Sequence, residues 1–204
     1  MKAQAHQPKG SPAVKRLAVT IGILALAAPL VFAQTSAWKS DPAHSEITFT
    51  VRHLGVANVH GSFGGVNATI LYDKNAVAES SVTATIGVNT LNTGEDGRDE
   101  VIKSSGFFDT DRFPTATFIS SRISKNGRGL LVRGNLTLHG VTRPVVLDVE
   151  GPTPPVRRAG NRPHSSFSAT ATIDRTAFGI GNSFPNAIVG DQVQLRIDLK
   201  IIEQ

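Results

Sequence analysis

The stretch LLVRGNLTLHGVTRPVVLDVE, Leu130 to Glu150, decides the fold. In its first half Leu130, Val132, Leu136 and Leu138 fall on one side of an extended chain, and Leu131, Arg133, Asn135 and Thr137 on the other. Gly134 occupies the apolar side and leaves a gap where a side chain would stand. After His139-Gly140-Val141-Thr142-Arg143-Pro144 the alternation resumes, with Val145, Leu147 and Val149 against Val146, Asp148 and Glu150. Two runs of period 2 joined by a short Gly-containing link predict an antiparallel hairpin. A glycine inside a strand marks a bend, a bulge or a close approach to the backbone. Long curved hairpins with one apolar face are the staves from which barrels are built.

The same period appears outward from this hairpin. Ile47, Phe49 and Val51 alternate against Thr48, Thr50 and Arg52; Val66 to Tyr72 and Glu79 to Val88 repeat the pattern. Thr115 to Ile123 and Ser165 to Asp174 follow, and Val193, Leu195, Ile197, Leu199 and Ile201 against Gln194, Arg196, Asp198 and Lys200 give the cleanest half-buried strand. Gln34 to Ser40 reads as a polar lead, His53 to His60 as a corner, and Gly61 to Gly65 as a flexible link. Arg98 to Ser104 is the one convincing helical piece, with Asp96 as its expected cap. About eight strands, one short helix and no crossover helices predict an all-β fold with antiparallel pairing. Long strands in meander order with interrupting glycines favour a single up-and-down, lipocalin-like β-barrel. Arg, Asp and Lys at mid-strand on the outward faces argue against an outer-membrane barrel.

Lys9, Lys15 and Arg16 precede an apolar run from Leu17 to Phe32, and Val31-Phe32-Ala33 offers small or aliphatic residues where a signal peptidase cuts. The run is too short for the ~20 residues that span a bilayer. Residues 1–33 are therefore expected to be a signal peptide, and 34–204 one mature domain, not integral to the membrane. Of the 21 basic residues four fall in the leader, and none of the 16 acidic ones does; the mature chain carries 17 basic against 16 acidic groups. The basic balance of the whole chain is thus largely the leader's and gives no warrant for a nucleic-acid partner. With no cysteine the protein forms no disulfide and needs none in an oxidising compartment.

A ring of about eight strands encloses a filled core or one small-ligand cavity, and pattern alone leaves the two equally open. Phe49, Phe63, Phe107, Phe108, Phe113, Phe118, Phe167, Phe178 and Phe184 give the mature chain an aromatic interior suited to an apolar ligand. His44, His53, His60, His139 and His164 stand too far apart for a recognised metal motif, and no Walker or GxSxG motif occurs. The expectation is no catalytic residue, no metal and no cofactor, with the histidines bonded at turns. An enzyme using His44, His53 or His139 as base, and a solid structural barrel, remain the alternatives. Asn89, Arg98 and Asp99 are candidate polar groups at a pocket mouth, where Arg98 would meet an anionic head group; the rival reading is a helix-start salt bridge.

Several pieces together resemble the YceI-like family of exported isoprenoid-binding proteins. They are Trp38 with Asp41-Pro42-x-His44-Ser45, Phe49-x-Val51-x-His53, Gly61-x-Phe63 and Arg98-Asp99. Next come Phe107-Phe108-Asp109, Phe113-Pro114-x-x-x-Phe118, and Gly134-x-Leu136-Thr137-Leu138-His139-Gly140-Val141-Thr142. Arg175-x-x-Phe178-Gly179 and Val189-Gly190-Asp191 complete the set, over about positions 38 to 202. The resemblance implies a lipocalin-like barrel in the periplasm, often dimeric, whose elongated pocket takes a long-chain isoprenoid lipid or quinone, with transient membrane contact. It makes Phe49, Phe63, Phe107, Phe108, Phe113 and Phe118 pocket-wall candidates, to which the strand and rim readings add Val51, Leu136, Leu138, Phe167 and Phe178. Pro152 to His164, rich in Pro and Arg, matches no part of the family pattern.

Overall fold

The computed structural model describes residues 1, 35–157 and 162–204; the expected signal peptide therefore lies almost entirely outside the described residues. Ten strand segments are present: β1 (Thr35–Ser40), β2 (Glu46–His53), β3 (Ala57–Phe63), β4 (Asn67–Asp73), β5 (Ser81–Gly87), β6 (Thr115–Asn126), β7 (Gly129–Leu138), β8 (Val141–Glu150), β9 (His164–Asp174) and β10 (Val189–Glu203). One α-helix, α1 (Asp96–Lys103), lies between β5 and β6. Every pairing is antiparallel.

Ten segments make eight staves. β10 carries β9 along one edge; along the other it pairs first with β2, from Val189 to Asp198, and then with β1, from Ile201 to Glu203. β1 and β2 are thus two halves of one stave, interrupted by the 3-10 turn Pro42–His44. Their partners β4 and β3 are likewise two halves of the next. The remaining strands follow in chain order, and the β1–β10 pairing closes the ring as an up-and-down barrel. Two sequence expectations are corrected here: Thr35–Ser40 is a strand, not a polar lead, and Ala57–Phe63 is a strand, not a corner and link. β3 is hidden because the inward position between Val59 and Phe63 is Gly61, directly opposite Phe49. A Cβ there would overlap the Phe49 ring, so the position stays empty and the alternation is lost to view.

The deciding hairpin is β7–β8, with a shorter turn than the sequence suggests. Leu138 pairs Val141, so His139 and Gly140 alone make the reversal, and Thr142, Arg143 and Pro144 already belong to β8. Both turn residues have positive φ, 51° for His139 and 71° for Gly140, the requirement of the two-residue turn that matches strand twist. Beyond β8 the ladder thins: β8 and β9 share three residue pairs, Asp148–Thr170 to Glu150–Ser168. Pro144, which has no N–H to give a ladder, lies in the length of β8 without a β9 partner. The helix also differs in detail. Glu95, not Asp96, caps α1, accepting from the backbone N–H groups of Gly97 and Arg98.

The interior is packed as two apolar clusters. One is built on Phe49, Phe63, Val88, Leu91, Phe107, Leu138 and Phe178, the other on Trp38, Ile70, Phe118, Ile123, Val132, Phe167 and Ile201. Ala84, Leu136, Leu147 and Leu199 touch both.

Candidate functional site: an apolar cavity in the barrel

Each cluster surrounds a void. The first cavity, about 140 Å³, is lined from the staves by Ile47, Phe49, Val51, Ile86, Leu136, Leu138, Ile173 and Leu195. Loop residues close over it: Val88, Ile102 at the end of α1, Phe107, Phe108, Ile180 and Val189. The second, about 60 Å³, lies toward the other end, among Ile70, Tyr72, Val82, Ile123, Leu130, Val132, Phe167 and Leu199. Inward positions of one strand serve both: on β10, Val193 and Leu195 face the first cavity, and Ile197 and Leu199 the second.

An aromatic chain forms one wall of the first cavity. Phe49 and Phe63 have ring centroids 5.4 Å apart, and Phe108 meets Phe63 edge-on at 5.8 Å. Phe107 stacks on Phe184 at 4.6 Å, which fixes the segment after α1 against the loop before β10. The remaining phenylalanines lie elsewhere. Phe113 packs outside the wall, edge-on to His139 at 4.8 Å. Phe178 is buried in the core behind the lining, Phe167 belongs to the second cavity, and Phe118 stands between the two. Gly134 faces inward, and its gap is occupied: the Phe118 ring rests where a Cβ would be.

One charged residue lines the first cavity, and the sequence reading gave it no role. Arg175 is 4% exposed at the end of β9. Its guanidinium donates to the carbonyls of Ile180, Gly181, Phe184, Val189 and Gly190 and to the Asp191 carboxylate, 2.9 Å away. Five N–H donors thus serve six acceptors, and none is left for a ligand. The signal was present in the sequence: one Arg heads a stretch with Gly179, Gly181 and Gly190, too irregular to satisfy its own carbonyls by a ladder. Next to it, the Asp174 carboxyl is held below its ordinary pKa, chiefly by the Thr176 hydroxyl and further by the Thr176 and Ala177 N–H groups and Arg175. This carboxylate ties down the turn Thr176–Phe178 that roofs the cavity.

The three polar mouth candidates are not part of the lining. Asn89 is exposed beyond β5. Arg98 donates to the Thr93 hydroxyl and carbonyl, and Asp99 accepts from the Thr93 N–H and hydroxyl. Both charges therefore fasten the Thr93 loop to α1; neither the head-group contact nor the salt bridge to each other is formed. None of the five mature-chain histidines lines the cavity. His44 bonds Asp41 at 2.9 Å on the surface, His60 meets the Thr50 hydroxyl at 3.0 Å, and His139 meets the Phe178 carbonyl at 3.1 Å. Among the described residues no helix is long and apolar enough to cross a membrane.

Known proteins share this arrangement. A UPF0312 protein of Yersinia enterocolitica is 33% identical over 168 residues, covering 80% of this chain and 85% of its own. A UPF0312 protein of Vibrio cholerae is 32% identical over 174 residues, 82% of this chain and 89% of that one. Among solved structures, BcnA of Burkholderia cenocepacia superimposes with a TM-score of 0.69 at 26% identity, over 79% of this chain and 98% of its own. The YceI protein of Campylobacter jejuni gives 0.65 at 27%, over 75% and 89%. A polyisoprenoid binding domain from Saccharophagus degradans gives 0.59 at 17%, over 83% and 99%, a likeness of fold alone. The profile of the YceI-like domain matches residues 38–201, and with it the chain belongs to the YceI-like family.

Proposed function

We propose that this chain is a non-catalytic carrier of a long-chain isoprenoid lipid, a polyprenyl chain or isoprenoid quinone, in the periplasm. The carrying observation is the first cavity: its wall is entirely aliphatic and aromatic apart from Arg175, and every Arg175 donor is already engaged. Such a wall offers an extended hydrocarbon burial at about 25 cal/mol per Å² and offers a polar molecule nothing. The name of the Saccharophagus degradans domain attaches the same ligand class to that protein. Export is supported by the leader pattern in residues 1–33 and by the absence of cysteine. The rival reading, an enzyme with a histidine base, lacks an imidazole at the cavity.

Mass spectrometry of an organic extract of the purified mature protein tests the reading. A prenyl lipid or quinone at near-stoichiometric yield is the expected result. Folded protein that is empty, and takes up neither class when offered both, would refute it.

A further inference from the structure

We propose that Phe118 is the partition that sets how long a stretch of chain the barrel buries. The inference rests on the first cavity being a chain-binding pocket and adds a length limit to it. Three neighbouring staves run past both voids. β5 passes from Ile86 at the first cavity, through Ala84, to Val82 at the second. β6 passes from Ala116 through Phe118 to Ile123, and β7 from Leu136 through Gly134 to Val132. At the level between the voids Ala84 pairs with Phe118 and Ala68 with Ala84.

Small residues widen the lumen at this level, and one large side chain fills it. Phe118 is 6% exposed, and its ring is seated on Gly134, where any Cβ would overlap it. β6 also carries a bulge between Ser120 and Arg122, opposite Gly134, which bends the stave beside that seat. The walls are apolar on both sides, so no change of chemistry stops a hydrocarbon here. The stop is steric, and Phe118 makes it.

The test is a binding series with linear primary alcohols of increasing length, and a matching series of isoprenoid alcohols. Delipidated wild type, Phe118→Ala and Phe118→Leu would be titrated by calorimetry. Each methylene gaining burial tightens binding about fourfold. In wild type that gain levels off once the first cavity is full. In Phe118→Ala it continues over additional carbons, and in Phe118→Leu it levels off between the two. Levelling at the same length in wild type and variant overturns the partition, as does a wild type that never levels off. If Phe118→Ala does not fold, the Phe118→Leu comparison decides on the same criterion. Alcohols of no length binding to either folded protein would overturn the chain pocket itself. A displaced plateau in the linear series, with isoprenoid alcohols binding no better than linear ones of equal carbon number, would sustain the partition and overturn the isoprenoid assignment alone.

Discussion

Replacing Arg175 by methionine keeps most of the side-chain volume and removes every donor. The carbonyls of Ile180 and Gly181, bonded to Arg175 in full burial, lose their partner where water does not reach. The acceptors on Phe184, Val189, Gly190 and Asp191 are partly exposed and can rehydrate. A buried polar group left unpaired costs about 1–3 kcal/mol, so two of them set the loss at about 2–6 kcal/mol, centred near 4. For a domain of this size that corresponds to roughly 8–16 °C in Tm, at about 2–4 °C per kcal/mol. Urea and thermal unfolding followed by far-UV circular dichroism measure it. Arg175→Lys retains the charge with three donors instead of five, and recovers part of the loss. A loss for Arg175→Met of under about 1 kcal/mol would refute the reasoning, because it would mean that the loop carbonyls find other partners.

Two further outcomes follow from the surface carboxylates and from the waist. The Asp198 carboxyl is held low by the Ser168 hydroxyl and by Arg196, Asp174 by Thr176, and Asp41 by Lys200 and His44. Groups with pKa depressed by folding stabilise above their unfolded value, near 3.8, and lose that contribution as pH falls through the folded value. The urea midpoint should therefore decline below about pH 4, and Ser168→Ala should start that decline at higher pH; superimposable profiles would count against the Ser168 contact. Gly134→Ala forces a Cβ onto the Phe118 ring and the Ile119 carbonyl, an overpacking that costs about 1–3 kcal/mol. Combining it with Phe118→Leu should return part of that loss in the same unfolding assay, and strict additivity of the two changes would argue that the contact is absent.

The barrel was legible where strands are half-buried and their inward residues large. β10 alternates Val193, Leu195, Ile197, Leu199 and Ile201 without interruption, and its length is what lets it hold β1, β2 and β9 at once. β1 and β3 escaped because each buries little of its own: β1 has Trp38 as its buried side chain, and β3 yields its central inward position to Phe49. The aromatic wall at Phe49, Phe63, Phe107 and Phe108 was on the page as composition and motif. Which phenylalanines share a void was not, since Phe113, Phe118 and Phe167 differ from them by stave, level and face, properties of the closed ring. Arg98 and Asp99 illustrate the other blind spot. Charges near a helix start advertise a ligand in sequence, yet the Thr93 loop beside them was already in want of partners.

The thin ladder between β8 and β9 gives the hoop a clasp. A ring of evenly bonded staves resists opening equally everywhere, because parting any joint breaks a full set of rungs. Here one joint is fastened by three rungs at one end and, toward the other, by single bonds from Arg143 to the Ala177 carbonyl and from His139 to the Phe178 carbonyl. Thermal breathing concentrates where the fewest bonds must break, so the wall parts along this line while its other joints stay shut. The fold thereby separates two properties that closure alone would bind together: a barrel without free edges, and a wall that yields in one chosen direction.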